Sequence, residues 1–162
     1  NNTFNYKNFD FSFFVVGFHG FDIYNATHQM GYNLIKSQQM AGVTPMRELL
    51  NRWTPTNTNT DIPGFVKGGT ENKDFFSTRF VENGSFIKMK SITLGYTLPE
   101  ATCRSLGINN LRVYASVQNP FHITKYSGLD PEATMGSPLV QGVDWGAYPN
   151  SRNYLIGLNF SF

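Results

Sequence analysis

The chain has 162 residues, with 13 Lys+Arg against 11 Asp+Glu for a formal net charge of +2. Only 15% of its residues are charged, well under the roughly 25% of an ordinary soluble domain, whereas 15% are aromatic, with 15 Phe and 8 Tyr beside 2 Trp. That balance suits a sheet, or a surface that faces something other than water, and a near-neutral charge without a Lys/Arg block argues against a nucleic-acid binder. A single cysteine, Cys103, excludes an internal disulfide and a CxxC metal or redox site.

At the N-terminus, NNTFNYKNFDF has no basic n-region, apolar h-region or cleavage site, so it does not read as a signal peptide. Phe4 and Tyr6 have the opposite parity to Phe9, which predicts a turn at Lys7-Asn8 and makes residues 1–6 the tail of an earlier strand. Phe9, Phe11, Phe13 and Val15 then alternate with Asp10, Ser12, Phe14 and Val16, predicting a strand over about 9–18. The run Phe13 to Phe18 is the longest apolar stretch, too short for a transmembrane helix, which needs about 18 residues.

Residues 20–83 form a long polar connection rich in Asn, Thr, Gly and Pro. Residues 26–36 and the segment after Thr44-Pro45 are helical candidates; in the second, Thr44 reads as an N-cap, and Met46, Leu49, Leu50 and Trp53 recur at helical spacing. TPTNTNTDIPGF beyond Trp53 reads as irregular chain held by Asx and Ser/Thr turns.

A second strand is expected over about 84–98, where Ile92, Leu94, Tyr96 and Leu98 line one face against Ser91, Thr93, Gly95 and Thr97. Residues 99–109 predict one helical turn and a Gly stop. A third strand, about 110–120, sets Leu111, Val113, Ala115 and Val117 against Arg112, Tyr114, Ser116 and Gln118. Another long polar connection, 123–150, precedes the last strand, 151–162, where Tyr154, Ile156, Leu158, Phe160 and Phe162 occupy every second position. A strand of about ten residues with one wholly apolar face and a terminal aromatic fits an outer-membrane barrel, as does the alternation of short and long connections. A soluble sandwich remains an alternative source of the same alternation.

Little in the chain suggests catalysis or metal binding. His19, His28 and His122 lack HExxH or HxH spacing; His19 and His122 read as hydrogen-bonding residues near strand ends. Asp130 and Glu132 straddle a Pro and shape a loop; no EF-hand spacing follows. Ser85, Ser91 and Ser116 lack a GxSxG context, and Cys103 reads as a small packed residue. No catalytic residue, metal ligand or cofactor is expected.

Four blocks now stand in order: NRWTPTNTNTDIPGF, STRFVENGSFIKMKSITLGYTLP, LRVYASVQNPFHITKYSGLDPEA and YPNSRNYLIGLNFSF. Together they resemble the C-terminal end of SusC/RagA-type TonB-dependent transporters of Bacteroidota outer membranes, over almost the whole chain. The resemblance implies an all-β fold, an antiparallel transmembrane β-barrel segment made of about the last four strands of a 22-stranded barrel, with long extracellular loops carrying short helices. The N-terminal plug and TonB box of such transporters are not in this sequence. The function it implies is outer-membrane import of glycans or peptides, with a SusD-like surface lipoprotein as lid, the TonB complex as energy source and the barrel assembly machinery as a further partner. Two other readings are a soluble carbohydrate-binding β-sandwich and a small homo-oligomeric barrel.

Within that frame, connections 20–83 and 123–150 face outward and 99–109 is a periplasmic turn. Trp53, Tyr126, Trp145 and Tyr148 are candidates for contact with substrate or lid, since aromatic faces stack on sugars and anchor interfaces. Arg112, Tyr114, Gln118 and Asn159 face the lumen or the plug. Tyr154, Ile156, Leu158, Phe160 and Phe162 face outer-membrane lipid and resemble the signal read by the assembly machinery, while Tyr96 joins the interfacial aromatics.

Overall fold

The computed structural model describes residues 1–32, 46–64, 76–133 and 141–162. Among them, in chain order, are strands β1 (Asn2–Tyr6), β2 (Phe9–Phe18), β3 (Asp22–Asn25), β4 (Val81–Asn83), β5 (Phe86–Thr97), β6 (Asn110–Thr124), β7 (Val143–Asp144) and β8 (Asn153–Ser161). Two α-helices occur there too, α1 (Ala26–Tyr32) and α2 (Glu100–Ser105). The chain divides into two units, one of residues 1–20, 85–125 and 149–162, the other of residues 21–84 and 126–148. No described helix is long and apolar enough to cross a membrane.

The first unit is an antiparallel sheet with strand order β1-β2-β5-β6-β8. Lys7, at φ 54°, closes the β1–β2 hairpin at the Lys7-Asn8 turn. Because neighbours in register share a face, Tyr6, Phe9, Tyr96, Val113 and Leu158 form one row across all five strands. Phe4, Phe11, Leu94, Ala115 and Ile156 form the next, and Phe13, Ile92, Val117 and Tyr154 lie in a third. Rings meet along this face: Phe9 and Tyr96 lie 4.7 Å apart and Phe4 stacks 6.1 Å from Phe13. Yet it is left open, with Phe4, Phe9, Leu94, Ile156 and Leu158 each at least half exposed.

Strict alternation would turn Lys90, Lys88 and Phe86 onto that apolar face. A bulge prevents it. Phe14 pairs with Ser91 and Val15 with Met89, so Lys90 is an extra residue on β5. On the other side Ser91 pairs with Gln118 and Met89 with Phe121, which sets two residues of β6, Asn119 and Pro120, opposite Lys90 alone. Beyond the bulge, Val15, Met89, Ile87, Phe121 and Ile123 continue the apolar face, whereas Lys88 is buried on the other. A proline is tolerated there because the ladder needs no N–H at the bulge, so β6 runs past Pro120 to Thr124.

The short connection from β5 to β6 is α2, followed past its cap residue Leu106 by Gly107 at φ 72°, and it buries Cys103, whose thiol faces the Leu98 carbonyl.

In the second unit β3 pairs antiparallel with β4 and parallel with β7. Ile23, Ala26, Phe80 and Pro131 are fully buried in it, and Tyr24, His28 and Tyr32 pack around the Phe80 ring. The helix expected over 26–36 is α1; residues 33–36, like Thr44 and Pro45, lie outside the described residues. The helix expected from Met46, Leu49, Leu50 and Trp53 is instead a 3₁₀ turn, Arg47–Asn51. Its apolar stripe is not buried as a face: Leu49 is buried, while Leu50 is 78% exposed, because the tighter turn separates the two residues. Asn57 accepts the predicted role in a local turn, its N–H donating to the Thr54 hydroxyl.

Candidate functional site

Two constellations carry polar chemistry, one in each unit. On the sheet face opposite the apolar rows, Asp10, Gly95, Tyr114 and Gly157 stand in register across β2, β5, β6 and β8. Arg112, one step along β6 and paired with Thr97 and Asn159, donates Nε to Asp10 Oδ1 at 2.8 Å and Nη2 to Oδ2 at 2.5 Å. A Cβ at position 95 would overlap both groups, so glycine is what lets this pair cross the intervening strand. Gly157 does the same for Tyr114, whose ring lies where a Cβ would sit and carries the Arg112 guanidinium 5.0 Å above its centre. Thr93 and Ser116 hydroxyls, 2.8 Å apart, continue this face, and Asn153 donates to Gln118 at 3.4 Å.

In the second unit Glu82 of β4 gathers segments distant in sequence. Its carboxylate accepts from the Ser127 N–H and hydroxyl at 2.8 and 2.7 Å and from Asn25 Nδ2 at 3.0 Å, and lies 3.4 Å from His28 Nδ1. Burial raises the Glu82 pKa, but these donors outweigh it and hold the carboxyl below its ordinary range. Asn25 also caps α1, its Oδ1 accepting from the His28 N–H. His28 Nε2 faces Glu48 Oε2 at 3.3 Å, and that same oxygen accepts from the Tyr32 hydroxyl at 2.5 Å. The Tyr32 bond, then His28, keeps the Glu48 carboxyl low, whereas burial and Glu48 push the Tyr32 phenol up to about 12.

Asp144 is the other anchor. Its Oδ2 accepts from the Tyr126 hydroxyl at 2.6 Å and its Oδ1 from the N–H groups of Gly146 and Ala147. Burial, and then this bond, drives the Tyr126 phenol well above its ordinary range. Between these groups is a cavity of about 260 Å³, with Glu48, His28 and Asp144 on its wall together with Met46, Leu129 and Ala147. No group of three His, Cys, Asp or Glu side chains among the described residues is placed to hold a metal ion.

No protein-family model matches the chain. Individual relatives do. TonB-dependent receptor P3 of Formosa agariphila is 36% identical over 100% of this chain and 16% of its own length. The TonB-dependent receptor SusC of Bacteroides thetaiotaomicron is 34% identical over 97% of this chain and 14% of its own. A solved structure of the RagAB peptide transporter superposes with a TM-score of 0.80 and 30% identity over 98% of this chain and 16% of that one. The chain is a barrel segment of the SusC/RagA-type TonB-dependent receptors. It spans about one-sixth of the length of the relatives it matches.

In a SusC/RagA-type segment the five-stranded sheet is a stretch of barrel wall, and the fold class is antiparallel β with long connections carrying short helices. Arg112, Tyr114, Gln118 and Asn159 lie on the polar face of that wall, together with Asp10, which the sequence alone did not single out as Arg112's partner. Tyr154, Ile156, Leu158, Phe160 and Phe162 are exposed, between 60% and 89%, with the first four in the apolar rows or beside Leu111. Of the four loop aromatics, Trp53, Trp145 and Tyr148 are exposed and Tyr126 is buried with its hydroxyl on Asp144. Trp53 packs its ring against Gly64. The structure brings Tyr126 to the cavity's polar frame; the exposed aromatics form no described ring pair with it. Glu82, Glu48 and Asp144 carried no motif, and only the Asp-x-Gly of residues 144–146 signals a local turn.

Proposed function

We propose that this chain is the C-terminal part of the barrel of a longer receptor that imports nutrients, glycans or peptides, across an outer membrane. The two-faced sheet supports this most directly: an open apolar face suits hydrocarbon, and a polar face with a paired charge suits a lumen filled by water or a plug. In this reading connections 20–83 and 123–150 are outer loops and 99–109 a periplasmic turn. Arg112, Tyr114, Gln118 and Asn159 face the lumen or plug. Tyr154, Ile156, Leu158, Phe160 and Phe162 contact lipid and carry the assembly signal. Trp53, Trp145 and Tyr148 meet cargo or a SusD-like lid lipoprotein. Energy comes from a TonB complex acting on the plug.

Uptake of labelled oligosaccharides and peptides by cells with and without the full-length receptor gene tests this. Loss of uptake of one cargo class in the deletion strain, and on collapsing the proton gradient, is expected. Uptake that survives both treatments overturns the proposal.

A further inference from the structure

The cavity of the second unit has walls of two kinds. Met46, Leu129 and Ala147 give apolar surface, whereas Glu48 and Asp144 give negative charge, and no Lys or Arg is among its described lining residues. Asp144 is buried with both oxygens engaged, so it supplies field but no free acceptor. Glu48 differs: its side chain is 59% exposed and both of its described hydrogen bonds fall on Oε2. Its Oε1 accepts from no group among the described residues. At about 260 Å³ the cavity is below the roughly 300–1,000 Å³ of sites that enclose whole small molecules. Its size and composition match one amphipathic side chain, an apolar stem ending in a cation.

We infer that this cavity is a subsite for a Lys or Arg side chain of a peptide cargo, its stem along Met46, Leu129 and Ala147 and its charged head on Glu48 Oε1. Glu48 is held ready for that role. Tyr32 and His28 fix its carboxylate through one oxygen and leave the other for the ligand. The subsite rests on the importer reading and narrows it, selecting peptides over neutral glycans and basic over acidic ones.

The test uses the full-length receptor in detergent and a pair of peptides that differ at one position, lysine against the isosteric norleucine. Binding of the lysine peptide is expected to be about fivefold tighter, with the difference shrinking as salt is raised. Glu48→Gln should abolish that preference, since glutamine still accepts from Tyr32 but carries no charge. Leu129→Trp, at a residue 66% exposed, should fill the cavity and weaken both peptides. Equal affinity for the two peptides in the wild type overturns the inference, as does a lysine preference that survives both substitutions. Binding of an oligosaccharide and neither peptide overturns the subsite but leaves the importer reading intact.

Discussion

Arg112 on β6 holds Asp10 on β2 in a two-point ion pair that passes over Gly95 of the strand between them. The pair therefore ties three strands together, and each side chain is 26% exposed, intermediate between a surface bridge and a buried one. A double-mutant cycle with Asp10→Asn and Arg112→Gln should give a coupling of about 1–2 kcal/mol, read from thermal unfolding of the full-length receptor in detergent. Gly95→Val should cost about as much alone, because its side chain needs the space the pair occupies. Additive single substitutions would mean the pair is not coupled.

Tyr114 and Gly157 supply a second dependence of the same kind. Gly157→Ala places a methyl into the Tyr114 ring and should lower the melting temperature by several degrees. With Tyr114→Ala already present, the same change should cost almost nothing. A Gly157→Ala penalty that is equal in both backgrounds would show that the glycine is needed for some reason other than the ring.

These two relationships mark where the sequence becomes silent. Each strand's period of two is a property of neighbouring residues, so the apolar face of Tyr154 to Phe162 is legible from a single segment. Asp10 and Arg112 are 102 residues apart, and their meeting depends on the register of three strands, which no local pattern encodes. The bulge at Lys90 is hidden for the same reason: a parity change looks like the end of alternation until the partners Ser91–Gln118 and Met89–Phe121 are known. In the second unit the apolar residues are few and their spacing weak, so Leu49 and Leu50 read as a helical stripe although only Leu49 is buried. Glu82 organises that unit through donors from 45 to 57 positions away, and an isolated Glu in VENG carries no sign of it.

Glu82 also sets an acid limit. Its folded pKa is depressed below the ordinary 4.5, so its ionised form stabilises the fold above that value and the contribution is lost as pH falls through the folded pKa. Glu48, also depressed, adds in the same direction. Residues 21–84 and 126–148 of the full-length receptor should therefore become cleavable by pepsin below about pH 4.5 before the strands do. With Glu82→Gln, cleavage of these segments should vary much less with pH. A pH profile unchanged by the substitution would remove Glu82 as the cause.

Tyr126→Phe isolates the other anchor. It leaves the ring packed but strips one hydrogen bond from Asp144, a carboxylate only 5% exposed. The expected cost is about 1–3 kcal/mol. It should appear as faster amide exchange at Gly146 and Ala147, whose N–H groups donate to the same carboxylate. Unchanged exchange at both amides would show that Asp144 keeps its place without the phenol.

The two faces of β8 make opposite demands on one neighbourhood. Ile156 lies mid-strand in the apolar row of Phe11, Leu94 and Ala115 and is 81% exposed, whereas Asn159 sits beside Arg112 on the polar face. In water, a lysine at either exposed position would be nearly neutral. In a bilayer the outward position near the midplane should cost about 2–4 kcal/mol, while a lumen position costs little. Ile156→Lys is therefore expected to cut the amount of folded, heat-modifiable receptor in the outer membrane severalfold, and Asn159→Lys to leave it near wild type. Because Asn159→Lys adds a second cation beside Arg112, a small loss there is local repulsion and should be relieved by salt, whereas the Ile156→Lys defect should not. Equal, mild effects at both positions would mean that this apolar face does not meet lipid.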